Sequence, residues 1–358
     1  MTLPVFVIAE AGVNHNGSLE RALAMVDAGA AAGADAVKFQ SFNAAQLVTR
    51  RAAKAAYQVE NTGDDGGQLE MLRSLELDAA GHRALADRCA ARGVRFMSTA
   101  FDMGSLEMLA GFDMPAVKIP SGDITWGAML LKAARLGRPL IVSTGMATMG
   151  EIAEALGAIA FALTRDGDPS NRAELAGALA TEMGQAAVRE RVTLLHCTTQ
   201  YPTPLEAVNL RAMTTMAERF GVAVGYSDHT RSLAVPVAAV ARGATVIEKH
   251  FTLDRSLPGP DHAASLEPDE LAAMIGMIRE TERALGSAEK GPTTEEVANR
   301  LAARRCLVAA RPIAAGEPLT PALMTAKRPS DGLSPMEAWG LVGQPAAAAF
   351  ALDEAIDR

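Results

Sequence analysis

Eight times along the chain a short apolar run ends in small or chemically capable residues and gives way to helical spacing. The first four runs are Val5–Ala9 into Glu10-Ala11-Gly12, Ala36–Phe39 into Gln40, Val94–Met97 into Ser98-Thr99, and Ala116–Ile119 into Pro120-Ser121-Gly122. The others are Leu140–Val142 into Ser143-Thr144-Gly145, Val192–Leu195 into His196-Cys197-Thr198, Val222–Val224 into Gly225-Tyr226-Ser227, and Thr245–Ile247 into Glu248-Lys249-His250. Runs that are apolar on both faces suit parallel strands, because helices cover both sides of such a sheet. The intervening stretches carry helical spacing, as in Leu19, Leu23, Met25-Val26 and Ala30. Pro268-Asp269-Glu270 reads as a helix first turn ahead of Leu271, Met274-Ile275 and Ile278. Eight strand-then-helix units predict an α/β fold, the (β/α)8 TIM barrel, with its chemistry at the C-terminal ends of the strands. A doubly wound open sheet is the competing arrangement, and a count of eight favours the barrel.

The pattern stops near residue 285. Residues 1–285 are expected to form the barrel domain, and residues 286–302 (Gly-Ser-Ala-Glu-Lys-Gly-Pro-Thr-Thr-Glu-Glu onward) a polar linker. Residues 303–358 are too few for another round and carry short strand-and-turn patterns, so a small β-rich domain is expected there. Thr49–Gln68 is long for a βα loop and reads either as a cover over the site or as a plain surface excursion. No apolar run approaches the roughly 20 residues of a membrane span. The first residues lack a basic cluster and the apolar stretch breaks at Glu10, so no signal peptide is expected. Cys89, Cys197 and Cys306 are odd in number and scattered, which fits a reducing, cytoplasmic setting without disulfides. A net charge of −8 argues against a nucleic-acid partner.

Five of the six histidines, His15, His196, His229, His250 and His262, fall at or just after the expected strand ends, whereas His82 reads as a surface residue of a helix. The strand period of two puts Glu248 and His250 on one face with Lys249 opposite, and Ser227 with His229 on one face. With both faces inward, His229 and His250 approach each other from neighbouring strands. Two imidazoles with oxygen ligands suit a divalent cation that keeps open positions: Mn²⁺, with Zn²⁺ or Co²⁺ also accepted. Asp261 and His262 follow closely enough to support them as outer ligands. Lys38, sharing a face with Gln40, and Lys118 are expected to point inward, which is costly unless an anion meets them. The hydroxyl-bearing turns at Thr99, Ser121 and Ser143 lie at the same level and suit phosphate or carboxylate. A Schiff-base aldolase would use Lys38 or Lys118 as a nucleophile and need no metal. A non-catalytic sugar-binding role would leave the histidine pair unexplained.

Several segments resemble the bacterial sialic acid synthase family. They are Val7-Ile8-Ala9-Glu10-Ala11-Gly12-Val13-Asn14-His15-Asn16-Gly17, Val37-Lys38-Phe39-Gln40, Lys118-Ile119-Pro120-Ser121-Gly122, Ser143-Thr144-Gly145-Met146, Gly225-Tyr226-Ser227-Asp228-His229-Thr230 and Glu248-Lys249-His250-Phe251. The tail resembles the family's antifreeze-like (SAF) domain. The resemblance implies condensation of phosphoenolpyruvate with an N-acylated mannosamine-type sugar and release of phosphate. It implies Mn²⁺ on His229 and His250, with Mg²⁺ or Co²⁺ as alternatives. It gives Lys38, Thr99, Lys118, Ser121, Ser143 and Ser227 to phosphoenolpyruvate. Gln40, Asn61 and Tyr201 fall to the substrate pocket, and Glu10, Asp123 and Asp261 are carboxylates for sugar hydroxyls or protons. The resemblance also implies a homodimer whose small domains swap, with Arg328 in Lys327-Arg328-Pro329 reaching the partner's acceptor. Asp123 stands where relatives usually carry Glu, so its carboxylate is drawn back by about one C–C bond. Thr199-Gln200 and the residues around Gln58, Asn61-Thr62 and Glu70-Met71-Leu72 resemble the legionaminic acid branch, whose acceptor is a 2,4-diacetamido-6-deoxy sugar.

Overall fold

The computed structural model describes residues 4–63 and 66–357, which fall into two compact units, Met1–Gly286 and Ser287–Arg358. In the first, β1 (Phe6–Gly12), β2 (Ala36–Ser41), β3 (Arg95–Ala100), β4 (Val117–Ile119), β5 (Leu140–Ser143), β6 (Val192–His196), β7 (Ala223–Asp228) and β8 (Val246–His250) close into one barrel. Every neighbouring pair is parallel, and β1 completes the circle against β8. The α/β barrel expected from eight repeats is therefore the fold. Several strands run past their apolar runs: β1 continues to Gly12, β7 to Asp228 and β8 to His250. Polar residues extend these strands because they find partners on both faces: Glu10, Ser227 and Glu248 inside the barrel, and Asp228 with Lys249 outside it.

The pairing register stacks the interior in layers. Ile8, Ala36, Met97, Ala116, Ile141, Leu195 and Val246 plug the barrel below the site. Two residues further along their strands stand Glu10, Lys38, Thr99, Lys118, Ser143 and Glu248, all buried. Gly225 is required in the plug layer of β7, since a Cβ there would lie 2.4 Å from the Val246 carbonyl oxygen and 2.6 Å from Leu195 Cδ2. Outward-facing Val7, Ala9, Val37, Phe39 and Val142 pack under the helices. Ser18 accepts the Arg21 N–H and starts the helix Leu19–Ala31, which buries Ala22, Met25, Val26 and Gly29. The helix Pro268–Leu285 buries Leu271, Met274, Ile275 and Ile278, the face its spacing predicts.

Three features differ from the sequence reading. His82 lies on the helix Ala79–Arg92 but is fully buried: its Nε2 pairs with Ser41 Oγ at 2.6 Å and its Nδ1 with the Asp78 carbonyl at 2.9 Å. A histidine satisfied on both nitrogens loses little by burial. Residues 49–68 contain a helix, Ala56–Thr62, closed by Gly63 in the left-handed region. The polar stretch after residue 286 contains the helix Thr294–Ala303, nucleated by a Thr293/Glu296 capping box. Within the second unit β9 (Cys306–Ala309) pairs antiparallel with β10 (Met324–Lys327) over a core of Leu307, Ile313, Leu319, Leu323, Phe350 and Ile356. Among the described residues, no helix is long and apolar enough to cross a membrane.

Candidate active site

A cavity of about 380 Å³ opens at the C-terminal ends of the strands. Its floor is a chain of buried charges. Lys38 Nζ lies 2.6 Å from Glu10 Oε2, donates to Thr99 Oγ1 at 2.8 Å and stands 3.5 Å from Glu248 Oε2. Lys118 Nζ donates to Ser143 Oγ at 2.8 Å and stands 3.5 Å from Glu248 Oε1, which accepts from Ser227 Oγ at 2.9 Å. Burial pushes Glu10 up to about 7, only partly offset by Lys38. Burial acts on Glu248 in the same sense, but Lys118 and Lys38 outweigh it and hold that carboxyl at about 2. Two amines thus face one firmly ionised carboxylate. Glu10 Oε2 and Glu248 Oε2 both turn to the Lys38 ammonium, 2.6 and 3.5 Å away. Such a floor, with two amines and three hydroxyls converging, suits an incoming polyanion.

Beside the floor, His229 and His250 face each other with ring centroids 5.5 Å apart. The His229 Nδ1–H donates to the Thr198 carbonyl at 2.7 Å, which leaves Nε2 as an acceptor near Ser227 Oγ at 3.5 Å. His250 Nδ1 is buried and has no hydrogen-bond partner, with Asp261 Oδ2 4.0 Å away. Tyr201 stacks on His229 at 4.1 Å. An orphaned imidazole nitrogen beside a second imidazole with a free lone pair fits a cation held by two protein ligands with its other positions open. Among the described residues there is no group of three or more His, Cys, Asp or Glu that would hold a metal by itself.

Part of the wall is apolar. Phe42, Leu47, Met71, Leu72, Leu75 and Phe101, from the segments after β2 and β3, give the cavity an apolar flank, with the Gln58 and Gln68 amides beside it. Asp123 lines the cavity with Oδ2 buried and unpartnered, and burial pushes its carboxyl up to about 6. Ser121 Oγ accepts the Gly145 N–H at 3.0 Å.

Of the residues singled out from sequence, the cavity gathers Glu10, Lys38, Gln40, Thr99, Lys118, Ser121, Asp123, Ser143, Tyr201, Ser227, His229, His250 and Asp261. Asn61 is not in its wall: Asn61 Nδ2 donates to the Pro260 carbonyl at 2.6 Å, next to Asp261. Arg328 belongs to the second unit, one residue past β10. Three strand-end histidines serve the scaffold instead. His15 Nδ1 accepts the Gly17 N–H, His196 Nε2 pairs with the Val208 carbonyl, and His262 bridges Thr252 and Asn16. Glu248, Thr199 and Gln58 line the cavity but were not among the expected site residues. The period of two already set Glu248 on the His250 face, so that residue was within reach of sequence reasoning.

Residues 25–290 match the NeuB family and residues 304–357 the SAF domain. The N,N'-diacetyllegionaminic acid synthase of Campylobacter jejuni is 43% identical over 350 residues, covering 98% of each chain. That of Legionella pneumophila is 40% identical over 342 residues, 96% of this chain and 90% of that one. Among solved structures, the N-acetylneuraminic acid (sialic acid) synthetase of Leptospira borgpetersenii superposes with a TM-score of 0.67 at 32% identity, covering 83% of this chain and 92% of that one.

Proposed function

This chain belongs to the NeuB family, and we propose that it is a nonulosonic acid synthase that condenses phosphoenolpyruvate with an N-acylated mannosamine-type sugar and releases phosphate. The observation that carries this is the convergence of Lys38, Lys118, Thr99 and Ser143 on one floor beside the His229–His250 pair. Phosphoenolpyruvate brings a carboxylate and a phosphate, which take up the donors these side chains now spend on one another. Its C3 carbon then attacks the acceptor aldehyde to form the new C–C bond. Water adds to C2, and the C2–O bond to phosphate breaks to leave the 2-keto acid. Lys38 and Lys118 offset charge leaving with the phosphate. Asp123, neutral below about pH 6, is placed to exchange a proton with the water or the substrate.

His229 and His250 would hold Mn²⁺, or Mg²⁺ or Co²⁺ in its place. When bound, the cation supplies Lewis-acid polarisation of the aldehyde. Tyr201 and Asp261 border that side and hold the sugar. The apolar flank beside the Gln58 and Gln68 amides favours an acceptor with two acylamino groups and a deoxy carbon, in keeping with the named activity of the Campylobacter and Legionella relatives. The active form is proposed to be a cytoplasmic homodimer with swapped small domains, each supplying Arg328 to its partner's acceptor.

The deciding assay is phosphate release from phosphoenolpyruvate with Mn²⁺, offering N-acetylmannosamine or 2,4-diacetamido-2,4,6-trideoxymannose. A higher kcat/KM for the second acceptor is expected. Preference for the first would make the chain an N-acetylneuraminate synthase, and release with neither would overturn the synthase reading.

A further inference from the structure

Behind the two imidazoles lies a buried ion pair that touches neither the cavity nor solvent. Lys249 and Asp228 are both fully buried, with Nζ 2.6 Å from Asp228 Oδ2. They are partners in the β7–β8 ladder, Asp228 opposite Lys249, and that is its last pair. His229 therefore sits one residue beyond the point where sheet hydrogen bonds hold β7 to β8. His250 differs, since it is still paired with Glu10 of β1.

Lys249 bridges this gap. Besides Asp228 it donates to the Thr230 carbonyl, so one ammonium grips the residue on each side of His229. Asp228 closes the loop on itself: Oδ1 accepts the Thr230 N–H at 2.9 Å and Oδ2 the Thr230 hydroxyl at 3.2 Å. Lys249 is also the residue before His250, and alternation along β8 turns its side chain away from the cavity while His250 faces in. The backbones carrying both imidazoles are thus tied to a single buried charge.

We propose that Lys249, acting through Asp228 and Thr230, is a positioning residue that sets the separation of His229 and His250 for a divalent cation. A hydrophobic pair would join the strand ends as firmly, but it would leave the Thr230 carbonyl, one residue past His229, unclaimed. The inference rests on the cation reading given above.

The test titrates Mn²⁺, followed by electron paramagnetic resonance, and phosphoenolpyruvate, followed by calorimetry. The proteins are the wild type, Lys249→Met with Asp228→Asn, Asp228→Asn alone, and His229→Ala. The double variant leaves no unpaired buried charge, and it is expected to bind Mn²⁺ roughly 10- to 100-fold more weakly. Its phosphoenolpyruvate affinity should fall far less, because Lys38, Thr99, Lys118 and Ser143 sit on other strands and only Ser227 shares β7. Wild-type Mn²⁺ affinity in the folded double variant would overturn the proposal. So would equal losses for both ligands, which would mark a merely structural pair. If the double variant does not fold, Asp228→Asn is judged by the same criteria. If neither folds, the pair belongs to the fold and the assignment fails. If His229→Ala binds Mn²⁺ as well as the wild type, the cation reading itself falls.

Discussion

Lys118 and Asp123 lie on the same stretch of chain, one at the end of β4 and one in the turn after it, and burial moves both titrations toward the neutral form. For Lys118, burial works against the attraction of Glu248, and the amine still donates to Ser143. Lys118→Met removes one of two amines on the floor, and kcat/KM for phosphoenolpyruvate should fall about 10²- to 10³-fold in a phosphate-release assay. Asp123 has a folded pKa of about 6 against an ordinary 3.8, so the native state favours its neutral form. That contribution is fully present below pH 3.8 and is lost as pH rises through about 6. Asp123→Asn cannot ionise, so its Tm should match the wild type in acid and exceed it at pH 7. Coincident Tm curves across that window would show that the carboxyl is better solvated than its burial implies.

At the level of elements, β7 and the excursion over residues 49–68 matter most to the site. Gly225 lets β7 approach β8 and β6 in the plug layer, where a methyl group would collide with backbone. Gly225→Ala should cost about 1–3 kcal/mol in urea unfolding. Its local effect should reach Ser227 and His229, further along the same strand. The excursion is fastened to the Asp261 loop by the Asn61 amide on the Pro260 carbonyl. Breaking one such bond is worth roughly 1 kcal/mol. Asn61→Ala should therefore raise KM for the sugar about fivefold. KM for phosphoenolpyruvate should not move, since Asn61 bonds Pro260 beside Asp261 and none of the residues on the charged floor. The excursion reads from sequence as a polar loop because its apolar residues are few, yet Gly63 and the capping at Ala55–Gln58 make a helix of it.

For the whole molecule, the two units have separate cores, so a chain ending at Gly286 should fold by circular dichroism and still bind phosphoenolpyruvate. If Arg328 completes the acceptor site, that truncation should lose nearly all turnover, and Arg328→Ala in the full chain should raise KM for the sugar alone. Full turnover by the truncated chain would remove Arg328 from the site. What the sequence by itself determined is what local rules reach. Eight apolar runs specified the barrel, and the two-residue period set Lys38 with Gln40, Ser227 with His229, and Glu248 with His250 on shared faces. Side chains beyond strand ends obey no such period, and only the tertiary structure decided them. His15, His196 and His262 stand at strand ends, yet their rings turn to backbone and hydroxyl partners. His82 turns inward because Ser41, far away in sequence, meets it. The pairing of Lys249 with Asp228 likewise depends on barrel closure, which sets neighbouring strands in register through contacts that no local pattern encodes.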